Sequence, residues 1–403
     1  MKRNFPDFLT AYYKYSKDGF CPNVFHYWTG VSVVSGALER KVWLPQSSKF
    51  NTYPNLYILL VSLPGMGKSS AANIGIDLLK DCGTVQFLPT QVTEAKLIEL
   101  LSGRSIFTLG NKEHQHSSRF YYASEASNSL RNIYGDFIAC LTDFYDCPKL
   151  WEKATIKADK VALSNVCLNM LAGCTFDYLS KLVTDDNIMG GFASRLIYII
   201  HDEKCIRSPS WESEDEHDPD MREALLADLK VIHSLKGKFR ADKGFKQKWE
   251  SWFPKFDELR QEHESEKMQS LLVRKSMNLL KLCMIMSASK SNDLVITEEH
   301  WQEAMMNLDR QENNLPKMLR IAQMKNTDSQ KSLNLAILAA LDDCPGKRLT
   351  EKLLKGKLLN HGFEPTKIKG TLELMAVSET QIKKVQEDGK EWFQLLVDPN
   401  NNL

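Results

Sequence analysis

A parallel-sheet α/β fold with helical additions at both ends is what this sequence predicts, on three observations. Short apolar runs recur between residues 55 and 205, each separated from the next by a helical or turn stretch. One of them, "LYILLVS", runs straight into a glycine-bearing loop, "LPGMGKSS", and then into helix-like sequence. Beyond residue 206 the strand signal fades and helical periodicity takes over. Near-continuous apolar runs suit strands covered on both faces, and strands alternating with helices imply parallel pairing through crossovers.

The elements come in this order along the chain. Residues 1–54 mix aromatic and basic positions, and their spacing predicts helices over 5–16 and 23–38, then a short strand at "KVWL". This segment reads as an N-terminal helical collar packed on the core domain. Residues 55–205 form that core, with five strands predicted at "LYILLVS", "TVQFLP", "RFYYASE", "VCLNMLAGCT" and "RLIYII". The acidic stretch "SWESEDEHDPDMRE", with Pro209 and Pro219, reads as a solvated connection.

Residues 206–324 are a helical lid region. In "MQSLLVRKSMNLLKLCMIMSAS", Leu272, Leu279, Leu282 and Met286 fall on one side of a helix. Thr297 caps the next helix, with Glu298 and Glu299 favourable in its first turn. His300 in place of Glu or Gln leaves the capping box incomplete. Residues 325–403 read as a separate small module. Its first helix, "SQKSLNLAILAALDD", is stopped by Pro345 and Gly346; two short helices come next, and Asp388-Gly389 signals a hairpin. Three helices and a hairpin predict a winged helix.

Composition bounds the function. At 403 residues, 43% hydrophobic and 26% charged, the chain is an ordinary globular one able to bury a sizeable core. A net charge of +1 excludes a polycation, so any nucleic-acid contact has to come from local patches. Nine scattered cysteines without a C-x-x-C pair argue against zinc or a disulfide framework. No apolar run approaches a membrane span, and "KRNFPDF" after Met1 is no signal peptide, so a soluble cytoplasmic protein without a membrane partner is expected.

The loop carries the first chemistry. It reads Ser62-Leu-Pro64-Gly65-Met66-Gly67-Lys68-Ser69-Ser70, the Gly-x4-Gly-Lys-Ser/Thr pattern with Ser62 in place of the first glycine. Phosphates need a row of backbone N–H groups, a helix N-terminus and one ammonium. Gly65 and Gly67 let the backbone curl around an anion, Lys68 reaches the β and γ oxygens, and Ser69 holds Mg2+. Pro64 to Ser70 is therefore the predicted ATP-binding stretch, with ATP and Mg2+ as cofactors.

Hydrolysis also needs a carboxylate at a neighbouring strand end to orient water. Glu125, directly after "RFYYAS", is the candidate; Glu113, in the polar stretch "GNKEHQHSSR", is the weaker one. Thr175 at the end of "CLNMLAGCT", or Asn169 if that strand ends earlier, is the candidate γ-phosphate sensor. Arg195, just before "LIYII", is placed to reach a neighbouring subunit's nucleotide; its alternative is a structural salt bridge. Arg274 is a candidate lid contact to the γ-phosphate, with Lys275 its competitor.

The order of strand, phosphate loop, acidic strand end, polar strand end and arginine before a last strand resembles an AAA+ core. The helical lid and winged helix are similar to those of the replicative MCM helicases and their self-loading relatives in mobile elements. More closely, "CPNVFHYWTGVSVVSGALERKVWL", "YPNLYILLVSLPGMGKSS", "LTDFYDCPKLW", "LNMLAGCTFDYL" and "GGFASRLIYI" resemble, over about residues 5–205, a P-loop family common in phages and prophages. Ser62 and Ser124 depart from that family's usual Gly and from its Asp-Glu strand end. The resemblance implies an ATPase of phage or mobile-element DNA replication, a ring-forming helicase, in the bacterial host cytoplasm if phage-encoded.

Three uses of the energy compete: a DNA translocase or helicase working as a homo-oligomer, a hexamer, on single-stranded or forked DNA; an ATP switch acting as helicase loader or initiator; and a regulatory or defence NTPase. A primase or polymerase partner belongs with the first. Between Cys344 and Lys384 nine basic residues face four acidic ones, which favours DNA. Lys367 and Lys369 start the expected recognition helix. In the core, Lys112, with His114 and His116, is placed to line a ring channel.

Overall fold

The structure is a computed structural model that describes residues 2–17, 21–130, 136–155, 158–183, 187–188, 191–202, 219–316, 318–319, 329–360, 363, 365–378, 382–387 and 390–396. It is a mixed α/β protein with parallel pairing in its main sheet. Among the described residues no helix is long and apolar enough to cross a membrane. The chain divides into two compact units, Met1–Leu315 and Pro316–Leu403. Residues 1–54, 55–205 and 206–315 all fall within the first unit. The collar, the core and most of the lid region share one hydrophobic core.

The reason lies in the second helix. α1 (Phe8–Ser16) is capped by Asp7, whose carboxylate accepts from the Leu9 N–H. α2 (Asn23–Leu38) buries thirteen of its sixteen residues. A helix buried on every side, its few buried polar residues being His26, Thr29, Ser32 and Ser35, belongs inside a protein rather than on its rim. Gly30 and Gly36 let it approach its neighbours: a Cβ on either would lie 2.6 Å from the rings of Tyr12 and Phe120 respectively.

The chain then forms β1 (Val42–Pro45), β2 (Asn51–Thr52) and the fully buried β3 (Tyr57–Val61), followed by α3 (Lys68–Asp81) and α4 (Glu94–Ser102). β4 (Ser105–Leu109) and β5 (Lys112–Ala123) pair antiparallel. After α5 (Ala126–Ser129) and α6 (Asp136–Tyr145) comes a second antiparallel pair, β6 (Leu150–Thr155) and β7 (Ala158–Ser164). β8 (Val166–Cys174), α7 (Phe176–Leu182) and β9 (Leu196–Ile200) complete the sheet. Its order is β4-β5-β8-β3-β9, with β5, β8, β3 and β9 mutually parallel.

Two expectations are corrected here. "TVQFLP" is not a full strand: it meets β5 in one parallel bridge, Phe87 to Phe120, and β4 supplies the fifth strand. In "GNKEHQHSSR", which reads as a polar loop, only Gly110 and Asn111 form a turn; Lys112 onward is the start of β5, because pairing with β4 organises Lys112–His116.

The rest of the first unit is helical. Pro219–Ser234 packs on α1, α2 and α3. The lid stretch breaks into Glu266–Leu272 and Lys275–Lys290. The latter is buried on every face from Asn278 to Ser289 rather than on one side, since α2, β2 and Glu298–Glu312 all pack around it. Thr297 does gain its reciprocal cap: the His300 ring nitrogen accepts from the Thr297 N–H at 3.1 Å.

The second unit has its own core. Helices Ser329–Asp342, Glu351–Asn360 and Pro365–Ser378 pack with a three-stranded antiparallel sheet in which Lys390–Leu395 lies between Arg348–Thr350 and Ile382–Glu387. Leu333, Ile337, Leu354, Leu358, Ile368, Leu372 and Phe393 fill it. The expected Asp388-Gly389 turn lies outside the described residues.

Candidate nucleotide site

β3 ends at Val61 and the chain turns into the loop, held to the sheet by the Ser62 N–H donating to the Cys174 carbonyl at 3.3 Å. Gly65 and Gly67 both have φ of +76°, the left-handed region that glycine adopts without strain. A Cβ on Gly65 would meet nothing within 4 Å, so that backbone lies open. A Cβ on Gly67 would lie 2.5 Å from Cys21 Sγ, because the segment entering α2 lies against the loop. Gly67 is the N-cap of α3 and supplies no side chain to satisfy the first N–H groups of the helix. Ser69 and Ser70 are exposed on its first turn.

Lys68 is folded over the loop. Its ammonium donates to the Ser62 carbonyl (3.2 Å), Ser62 Oγ (3.1 Å) and the Leu63 carbonyl (3.1 Å). Ser62, fully buried, thus does more than replace a glycine: its hydroxyl tethers the lysine. Burial lowers the Lys68 pKa, opposed by the fields of Cys174 and Glu125. Backbone N–H groups, left-handed glycines and an ammonium on hand fit a triphosphate, and Ser69 is the hydroxyl available to its Mg2+.

Glu125 reaches the same place through β8. Gly173 packs so tightly that a Cβ there would lie 2.6 Å from the Ser124 carbonyl oxygen and 3.7 Å from Lys68 Cβ. The half-buried Glu125 follows directly, in extended backbone, and its Oε1 accepts from Ser127 Oγ at 3.2 Å. Cys174 lies in the fields of both groups: burial raises its thiol pKa, Glu125 raises it further and Lys68 lowers it. Glu113 lies at the other end of β5, paired with Thr108.

Thr175 also lies at this end, but its hydroxyl is the N-cap of α7, accepting from the Tyr178 N–H at 3.4 Å. Asn169 does not: it is in mid-strand, where its Oδ1 accepts from Ser35 Oγ and from the Leu56 N–H (3.0 Å). It ties α2 to the start of β3.

The arginines stand elsewhere. Leu196, the first residue of β9, is opposite Tyr57, the first of β3, so Arg195 sits at the end of the sheet away from the loop. The four rises from Tyr57 to Val61 put about 13 Å between those ends. Arg195 makes a salt bridge within its own chain, as in the alternative reading. It is buried, its Nη2 meets Asp146 Oδ2 at 2.5 Å, and its Nη1 donates to the Gly191 carbonyl at 2.7 Å. Arg274 grips the same carboxylate with both Nη atoms, at 2.9 and 3.3 Å. Held there, it does not lie over the loop of its own chain. Lys275 is engaged by Asp309 (2.7 Å) and Glu312.

Lys112 is exposed at the first position of β5, the end remote from the loop. His114 stacks on Phe107, whereas His116 is buried, bonded to Ser118 Oγ at 2.7 Å, and held by burial and nearby cations at a pKa of about 4. His116 therefore lines no channel. In the second unit Lys367 and Lys369 are both exposed on Pro365–Ser378, and Lys369 lies 4.0 Å from Glu373. Lys347, Arg348 and Lys384 pair with Asp342, Glu387 and Glu391, acids that flank the Cys344–Lys384 stretch.

Sequence reasoning assigned no role to Cys21, Tyr145, Asp146 and Gly173, although all four lie in the quoted segments, nor to Lys281. No family model matches this chain, and no curated protein matches it.

Proposed function

We propose that the chain is an AAA+-type ATPase that hydrolyses ATP between the Pro64–Ser70 loop and Glu125. The observation that carries this reading is Gly173: a Cβ there would lie 2.6 Å from the carbonyl oxygen of Ser124 and 3.7 Å from the Cβ of Lys68. The sheet order supports it too, since β8 lies between the loop strand and the strand that leads to Glu125. Ligands of open parallel sheets bind beyond the carboxyl ends of the strands, near a topological switch point.

The bound nucleotide would supply a γ-phosphoryl group neutralised by Mg2+. Loop N–H groups and Lys68 hold that group, Ser69 steadies the metal ion, and Glu125 takes a proton from the attacking water. Thr175 is the polar group next along the strand ends. With Ser124 in place of a second carboxylate, the chain itself contributes little to the metal.

For the use of the energy, we favour a DNA translocase or helicase working as a ring of copies in replication of a phage or mobile element. Two observations support it. The order helix, strand, helix, helix, strand, strand in the second unit is the one expected of a winged helix, with Lys367 and Lys369 exposed on its third helix. The arginine pair at the far end of the sheet has no nucleotide of its own chain to serve. A loader or initiator is the second reading, favoured by the modest net charge of that unit. A forked-duplex displacement assay separates them: a helicase displaces the strand with ATP and not with a non-hydrolysable analogue, whereas a loader hydrolyses ATP and displaces nothing.

A further inference from the structure

The turn after α6 brings two thiols together. The Asn165 N–H donates to the Lys149 carbonyl at 2.8 Å and the Val166 N–H to the Pro148 carbonyl at 3.1 Å. These bonds extend the β6–β7 pairing, in which Leu150 faces Ser164, so Cys147 comes to lie opposite Cys167 of β8. The two side chains hydrogen-bond to each other. Their backbones are clamped on both sides. Arg40 Nη1 donates to the carbonyls of Cys147 (2.6 Å) and Val166 (2.5 Å), and Asn55 Nδ2 to those of Tyr145 (2.9 Å) and Leu168 (3.2 Å). Cys147 has a φ of +51°, left-handed backbone that a residue with a Cβ adopts only at a cost.

The charge beside the pair is positive. Lys281 is buried; its ammonium lies 3.6 Å from the Tyr145 ring centroid and donates to Asn55 Oδ1 at 2.9 Å. The nearby carboxylate, Asp146, is already shared by Arg195 and Arg274. A buried ammonium needs a counter-charge, and a Cys147 thiolate supplies one. Burial would raise the Cys147 thiol, yet the bond from Cys167 and the fields of Arg40 and Lys281 bring it below the ordinary cysteine value. Cys167 goes the other way, raised by that same bond and by burial. Burial lowers the Lys281 pKa to about 8, and Cys147 is foremost among the groups that oppose it. Cys147 is 5% exposed and Cys167 not at all, so a small reagent meets Cys147 first.

We propose that Cys147 and Cys167 are a peroxide-sensitive dithiol, with Cys147 the attacking sulfur, Cys167 the resolving one and a hydroperoxide the oxidant. The Cys147 sulfur attacks one peroxide oxygen, the O–O bond breaks, and the departing hydroxide takes up the proton that the thiol gave up. Cys167 then attacks the sulfur of the resulting sulfenic acid, the S–O bond breaks, and the Cys167 proton leaves with the hydroxyl as water. One disulfide forms while one hydrogen peroxide is reduced to two waters. The cross-link ties the chain after α6 to β8 and removes the negative charge that faces Lys281. No nucleotide takes part, so the proposal is independent of the ATPase reading.

The test treats the full chain with hydrogen peroxide, alkylates the remaining thiols in denaturant, and maps the peptides by mass with and without reduction. A reducible cross-link between the Cys147 and Cys167 peptides should form at least about ten-fold faster than oxidation of any other cysteine. Cys167→Ser should leave a sulfenic acid on Cys147 that dimedone traps, whereas Cys147→Ser should leave Cys167 unmodified. Lys281→Met keeps the length of the side chain without its charge and should slow cross-linking at least about ten-fold. Cys147 and Cys167 both recovered as free thiols from the treated wild type would overturn the proposal, and that result requires no variant to fold. A dimedone adduct on Cys167 in Cys147→Ser, with none on Cys147 in Cys167→Ser, would overturn the assignment of the attacking sulfur.

Discussion

Gly173 and Ser124 stand so close that a methyl group on the first would lie 2.6 Å from the carbonyl oxygen of the second. Neighbouring parallel strands do not ordinarily exclude a Cβ. Here the chain leaving β5 bends over the end of β8, and that bend puts Glu125 beside the loop. Gly173→Ala should therefore cost about 1–3 kcal/mol, the usual range for overpacking. Thermal unfolding measures the cost. Nucleotide turnover should fall by more than the folded fraction does, because the displaced carbonyl carries Glu125 with it.

Lys68 gives a second prediction. Its three present partners are oxygens of the loop itself, so removing the ammonium leaves no buried carboxylate without its counter-ion. Lys68→Ala should keep its melting temperature within a few degrees. It should weaken ATP binding about ten- to a hundred-fold, the worth of a charged hydrogen bond. Titration with a fluorescent ATP analogue reads it.

Acid stability gives a third. Burial holds His116 and His233 at pKa values of about 4, against an ordinary 6.5. Between those values the unfolded chain binds protons that the folded chain does not, so stability is full above pH 6.5 and falls as pH drops towards 4. The urea midpoint should decline across that window. A His116→Asn/His233→Asn variant should show a shallower decline, and an equal slope in both proteins would refute the assignment.

Salt dependence addresses the second unit. If Lys367 and Lys369 each meet a DNA phosphate, Lys367→Ala/Lys369→Ala should reduce the slope of log affinity against log salt by about 1.4 to 1.8. Affinity should fall evenly across sequences, since phosphate contacts carry no base information. An unchanged slope would move DNA binding away from this helix.

The sheet is legible in the sequence because apolar runs report burial on both faces, and "LYILLV" and "LIYII" become neighbouring strands. The loop is legible because Gly65, Gly67 and Lys68 act through local backbone geometry. What escapes depends on distant pairing. Polar residues in "GNKEHQHSSR" form a strand only because Ser105–Leu109 folds back on them. Asp146 reads as one acid among many, since its partners lie 49 and 128 residues away. Arg195 stands out by its place before the last strand, yet spacing alone gives no sign of its contact with Asp146.

The most direct test of the central claim is a paired measurement on Glu125→Gln. The variant keeps shape and removes the base, so ATP binding should match the wild type within about three-fold, while phosphate release falls about a hundred- to ten-thousand-fold. Wild-type release by Glu125→Gln would contradict the account and leave the loop a binding site without its proposed base.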